Sequence, residues 1–66
     1  MRISINSQWQ EQPQELTVSQ LLEGLGMEPR RVAIELNRQL LPRAKYGLTR
    51  LADNDSLEIV TLVGGG

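Results

Sequence analysis

Three consecutive glycines, Gly64-Gly65-Gly66, follow Leu62-Val63 in the 66-residue sequence, and they are the residues whose type and spacing point to chemistry. Glycine has no Cβ, so such a run gains nothing from packing and keeps its conformational freedom. The result is a thin, extendable tail. It can pass through a channel too narrow for ordinary side chains and carry the Gly66 carboxylate to an active site on another protein. That carboxylate is read here as the reactive group. The competing reading is a frayed end or a cloning scar, since short motifs match by chance. Context favours the reactive tail: the glycines directly follow a strand-like run that closes a very small domain, the sequence begins with Met1, and no tag or linker-like segment is visible.

Composition narrows what can surround that group. A chain of this length is one domain, with a core too small to enclose a buried active site and only a few kcal/mol of net stability. A self-contained enzyme is not expected. There are no cysteines and no histidines, which removes disulfides, thiolate or imidazole zinc sites, Cys and Ser–His nucleophiles, and the usual general base near neutral pH. Seven Lys and Arg against eight Asp and Glu give a formal net charge of −1, unlike the basic footprint of a nucleic-acid binder. Apolar runs never exceed three residues, as in Val32-Ala33-Ile34, so neither a membrane span nor the apolar segment of a signal peptide is present. A soluble, cytoplasmic protein is expected, monomeric when free.

The elements that must hold the tail can be read in order. Met1, Ile3 and Ile5 alternate with Arg2, Ser4 and Asn6, the pattern of a half-buried strand, and Asn6-Ser7 reads as a turn. Gln8 to Glu15 is polar and Gln-rich, with Trp9 as its one large apolar anchor. Pro13 cannot donate to a ladder, so a ragged edge strand is expected there.

Thr17 and Gln20 form a capping box, with Leu16 and Leu21 placed as a hydrophobic staple. Val18, Leu21, Leu22 and Leu25 make one apolar stripe. Gly24 and Gly26 can end the helix in the left-handed conformation, and Pro29 prevents an early restart. A helix of about two turns follows, short enough to depend on packing.

Val32, Ile34 and Leu36 alternate with Ala33, Glu35 and Asn37 as a third strand. Leu40-Leu41-Pro42 reads as a short edge strand, Arg43 to Arg50 as an irregular connection, and Ala52 to Ser56 as a turn. The final strand runs from Leu57 to Val63. Leu57, Ile59, Thr61 and Val63 share one face, and Glu58, Val60 and Leu62 share the other. One short helix covers one face of a sheet of four or five strands. Val60 and Leu62 are therefore expected in an exposed patch beside the tail, either a docking surface or scattered surface apolar residues.

Other constellations resolve into structure. Asp53-x-Asp55 lacks the glycine and terminal carboxylate of a calcium loop, with Glu58 and Gly64 at those positions, and reads as a turn. Gly24-x-Gly26 follows a helix where a dinucleotide fingerprint precedes one. Arg38, Arg43, Lys45 and Arg50 make the middle of the chain basic and are read as solvated. No metal site is expected.

The order strand, strand, helix, strand, short strand, strand, ending in glycines, resembles the ubiquitin-like β-grasp fold: an α+β domain with a mixed sheet of four to five strands and one helix packed on one face, spanning 1–63 with a flexible tail at 64–66. Within it, Met1-Arg2-Ile3-Ser4-Ile5-Asn6, Thr17-Val18-Ser19-Gln20-Leu21-Leu22, Ala33-Ile34-Glu35-Leu36-Asn37, Leu41-Pro42-Arg43 and Val63-Gly64-Gly65-Gly66 resemble the ThiS family of sulfur carriers in thiamine biosynthesis. The Gln-rich second strand with Pro13 is the least typical segment.

The resemblance implies a carrier rather than an enzyme, with no cofactor of its own. An E1-like adenylating enzyme of ThiF type would use MgATP to convert the Gly66 carboxylate to an acyl-adenylate. A sulfur donor fed by a cysteine desulfurase would displace AMP to leave a thiocarboxylate, and a thiazole synthase of ThiG type would take the sulfur. Gly66 would hold the sulfur, Gly65 and Gly64 would form the tail, and Val60, Leu62 and Val63 would belong to the docking side. The alternatives are a sulfur carrier of molybdopterin synthase or a related ubiquitin-like modifier, and a regulatory β-grasp module of TGS type. No nucleic acid or membrane partner is implied.

Overall fold

Both hairpin turns of this protein are made by an asparagine followed by a residue with a full side chain. Asn6 and Ser7 have φ of 50° and 69°, and Asn37 and Arg38 have φ of 51° and 70°. Two successive positive φ values give the turn whose twist matches that of the flanking strands. The computed structural model describes residues 1–62. In it, β1 (Arg2–Ile5) turns into β2 (Gln8–Glu11), and β3 (Val32–Leu36) turns into β4 (Gln39–Leu41). Between the hairpins lie α1 (Val18–Gly24) and a 3₁₀ turn, Pro29–Arg31. A second 3₁₀ turn, Arg43–Lys45, leads towards β5 (Ser56–Thr61).

The strand order is β2-β1-β5-β3-β4. β5 pairs parallel to β1 and antiparallel to β3. The last strand in the sequence is thus the middle of the sheet. This is the expected mixed sheet with one helix on one face. Several boundaries differ from the sequence reading: β2 ends at Glu11, leaving Pro13 outside the ladder, Asn6 and Asn37 leave β1 and β3 to make the turns, β4 takes in Gln39 and leaves Pro42 out, and β5 begins at Ser56, which was read as part of the turn, and ends at Thr61.

The core lies between the helix and one face of the sheet. Ile3 and Ile5, Val32 and Ile34, and Leu57 and Ile59 come from the three central strands, and Val18, Leu21 and Leu22 from the helix. Thr17 accepts the Gln20 N–H at 3.1 Å while the Gln20 side chain accepts the Thr17 N–H at 2.9 Å, so the capping box is closed. The next two orphan donors of the first turn are met by the connection before β5: Val18 N–H donates to Thr49 O at 3.0 Å and Ser19 N–H to Tyr46 O at 3.1 Å. Every early helix donor therefore has a partner. The same connection buries Tyr46 and Leu51 against the core, where the sequence suggested only an irregular linker. Gly26, with φ of 72°, ends the helix in the left-handed conformation. Pro29 does not restart it but opens the single 3₁₀ turn that feeds β3.

Candidate functional site

β5 is the strand that leads, in the sequence, into Val63 and the glycines, and it is held by β1, β3 and the residues flanking them. Its Cα register against β3 runs from Leu36↔Leu57 to Val32↔Thr61. Beyond each end the ladder continues, with Asn37 N–H donating to Ser56 O at 2.8 Å and Leu62 N–H to Arg31 O at 2.7 Å. On its other side β1 pairs only at Ser4↔Ser56 and Ile5↔Leu57, after which Asn6 takes over. Its N–H donates to Leu57 O at 2.9 Å, and its side chain bonds both backbone groups of Ile59. The strand is secured up to Leu62, the last described residue.

The start of β5 is fixed as firmly. Asp55 Oδ2 accepts the Ala52 N–H at 2.8 Å, and Asp55 Oδ1 accepts from Asn37 Nδ2 at 3.0 Å. Asn37 Oδ1 accepts the Ser56 N–H at 2.9 Å, and Asp53 Oδ1 the Arg2 N–H at 2.7 Å. Asp55 closes the turn, as its sequence context suggested, and Asp53 ties that turn to β1.

Alternation along β5 separates its side chains as expected. Leu57 and Ile59 are buried, whereas Val60 is 58 % and Leu62 49 % exposed. They lie on the face of the sheet away from the helix. Leu40 of β4, 72 % exposed, joins them there. Cross-strand register sets one row as Leu40, Glu35 and Glu58, and the next as Ala33 and Val60. The small side chain of Ala33 leaves a shallow depression of about 270 Å³ lined by Ala33, Ile34, Glu35, Leu40, Glu58 and Val60. At the far side of the same face Trp9, opposite Ser4, is 51 % exposed, with the Arg2 guanidinium 4.5 Å from its ring centroid. Trp9, the one large apolar residue of β2, thus stands on the open face, across from the buried Ser4.

Of the residues the sequence pointed to, Val60 and Leu62 come together on one open surface near the end of β5. Val63, Gly64, Gly65 and Gly66 lie outside the described residues. Leu40, Ala33, Glu35 and Glu58 were not singled out as partners in a surface. Their alternation was legible, but the register that groups them was not. Among the described residues no group of three His, Cys, Asp or Glu side chains is placed to hold a metal, and no helix is long and apolar enough to cross a membrane.

Comparison with known proteins bears on the whole chain. The sequence matches the ThiS family over residues 2–66, through the last glycine. The chain belongs to the ThiS family. A ThiS relative, the sulfur carrier protein ThiS of Bacillus subtilis, is 36 % identical over 50 residues, covering 76 % of each protein. The crystal structure of the thiamine biosynthesis protein (ThiS) from Geobacter metallireducens superposes with a TM-score of 0.86 at 29 % identity, covering 100 % of both chains. The ThiS fold of this chain is thus the ubiquitin-like β-grasp. A thiazole synthase of Paramagnetospirillum magneticum is 38 % identical over 66 residues, all of this chain but 20 % of that protein. The chain spans about one fifth of the length of the curated thiazole synthases it matches.

Proposed function

We propose that this protein is a sulfur carrier for thiazole formation in thiamine biosynthesis, with the Gly66 carboxylate as the group that is activated and charged with sulfur. The observation that carries this reading is the ThiS-family match, which runs to Gly66. A carboxylate is a poor electrophile with a poor leaving group. Attack by its oxygen on the α-phosphorus of ATP, with loss of pyrophosphate, gives an acyl-adenylate whose leaving group is AMP. A persulfide sulfur then attacks the carbonyl and displaces AMP, and a second thiol cleaves the S–S bond of the resulting acyl disulfide, leaving the thiocarboxylate and a disulfide between donor and thiol. All the catalytic groups and the MgATP belong to an E1-like partner of ThiF type, so the carrier is not an enzyme and needs no Cys or His of its own.

The β-grasp domain presents the tail, and Val60, Leu62 and Val63 contribute to its docking side. A sulfur donor fed by a cysteine desulfurase supplies the sulfur in the cytoplasm. A ThiG-type thiazole synthase receives it. Support for that partner comes from the thiazole synthases that contain a stretch similar to this entire chain.

High-resolution mass spectrometry of the protein from its own cells tests the reading. Replacing oxygen by sulfur has the same nominal mass shift as oxidising Met1, Met27 or Trp9, so fragmentation and alkylation must locate the change. The expected result is an alkylatable, sulfur-containing fragment ending at Gly66. A terminus that stays unmodified after incubation with MgATP, the adenylating enzyme and a sulfur source would remove the carrier reading.

A further inference from the structure

Glu35 and Glu58 stand directly opposite one another on β3 and β5. The ladder bonds at Asn37–Ser56 and Arg31–Leu62, by alternation, make theirs a hydrogen-bonded pair, with Cα atoms about 5.5 Å apart. Like charges so placed destabilise a sheet. Both side chains are exposed, and among the described residues neither takes part in a salt bridge. Yet the neighbours in the same two rows, Leu40, Ala33 and Val60, are apolar. Solvation alone does not require two carboxylates beside an apolar depression at the centre of the face.

Resting on the carrier reading above, we propose that this depression receives an arginine or lysine side chain of the thiazole synthase, held between Glu35 and Glu58 and flanked by an apolar side chain over Ala33 and Val60. A cation between them turns their mutual repulsion into attraction to the partner, and the apolar floor excludes water from the contact. A second copy of this chain does not fit the same surface. Face-to-face pairing about a two-fold axis would bring four carboxylates together.

The test is calorimetric titration of the full chain against the thiazole synthase of the same organism at low and moderate salt. Wild type is compared with the double variant Glu35→Gln, Glu58→Gln. The expected result is wild-type binding that weakens with salt, and a double variant that binds roughly tenfold or more weakly with a flatter salt response. The thermal midpoint of that variant should be unchanged or higher, because the repulsion is gone. Equal affinity and equal salt response in both proteins would overturn the inference and leave the carrier reading standing. So would a wild-type chain that becomes thiocarboxylated but does not bind the synthase, or one that dimerises through this face in sedimentation. A wild type that is neither charged with sulfur nor bound removes both readings.

Discussion

The side-chain amide of Asn6 stands beside Ile59 as a peptide group would: its Oδ1 accepts the Ile59 N–H at 2.7 Å and its Nδ2 donates to the Ile59 carbonyl at 3.1 Å. β1 has to turn away at this point, since Asn6 and Ser7 form the hairpin to β2. The asparagine side chain continues the ladder that the backbone abandons. Asn6→Gly removes both bonds but suits the positive φ, and should cost about 1–2 kcal/mol. Asn6→Ala adds the left-handed penalty of roughly 1 kcal/mol more. Urea unfolding of the two variants checks both figures, and equal stability of wild type and Asn6→Gly would show that the clamp contributes nothing.

Arg38 adopts φ of 70° in the second hairpin turn, where a Cβ is a steric burden. Arg38→Gly should raise stability by up to about 1 kcal/mol. A shift of the urea midpoint to higher concentration, at unchanged slope, is the expected observation.

Thr17 and Gln20 close the capping box on α1. Thr17→Ala should cost about 1 kcal/mol, and Gln20→Ala less, because it leaves the Thr17 acceptor in place. Thermal unfolding followed by circular dichroism separates the two.

Leu57 and Val60 sit three residues apart in one strand and should behave in opposite ways. Leu57 is fully buried, and Leu57→Ala should cost about 2–5 kcal/mol, enough to unfold much of a domain this small. Val60→Ser should change stability by no more than about 0.5 kcal/mol while weakening capture by the partner enzymes. Unfolding curves and transfer assays on the same preparations make the comparison.

Deleting Gly66 or substituting Gly65→Val should leave the unfolding midpoint where it is and abolish thiocarboxylate formation. A regulatory binding module would keep its function in both variants, so the pair discriminates between the two classes.

The helix was legible in the sequence because its signals are local: Thr17 and Gln20 lie three residues apart, and Val18, Leu21 and Leu22 repeat with the helical period. The strands were legible by alternation, and Val60 and Leu62 stood out because they occupy the polar phase of an otherwise alternating run. Tyr46 and Leu51 were not legible. They are carried by one 3₁₀ turn and a loop, which have no period, and their burial depends on backbone bonds to the helix start. The side of the sheet that Trp9 occupies was not legible either, because it is set by the register of β2 on β1. The Glu35–Glu58 pair escaped notice because alternation assigns a face within one strand, and only the hydrogen-bonded register assigns a neighbour across two.

The position of β5 has a consequence for synthesis. The strand nearest the carboxyl end is the middle of the sheet, and its parallel partner β1 lies at the other end of the chain. Loop closure over that separation makes folding slow relative to local pairing, and on the ribosome the two hairpins must wait, unjoined, for the strand that unites them. A chain cut short before Ser56 lacks the central strand of the sheet. β5 both completes the sheet and leads, in the sequence, into the glycines, so any molecule whose sheet is complete has been translated at least as far as that strand.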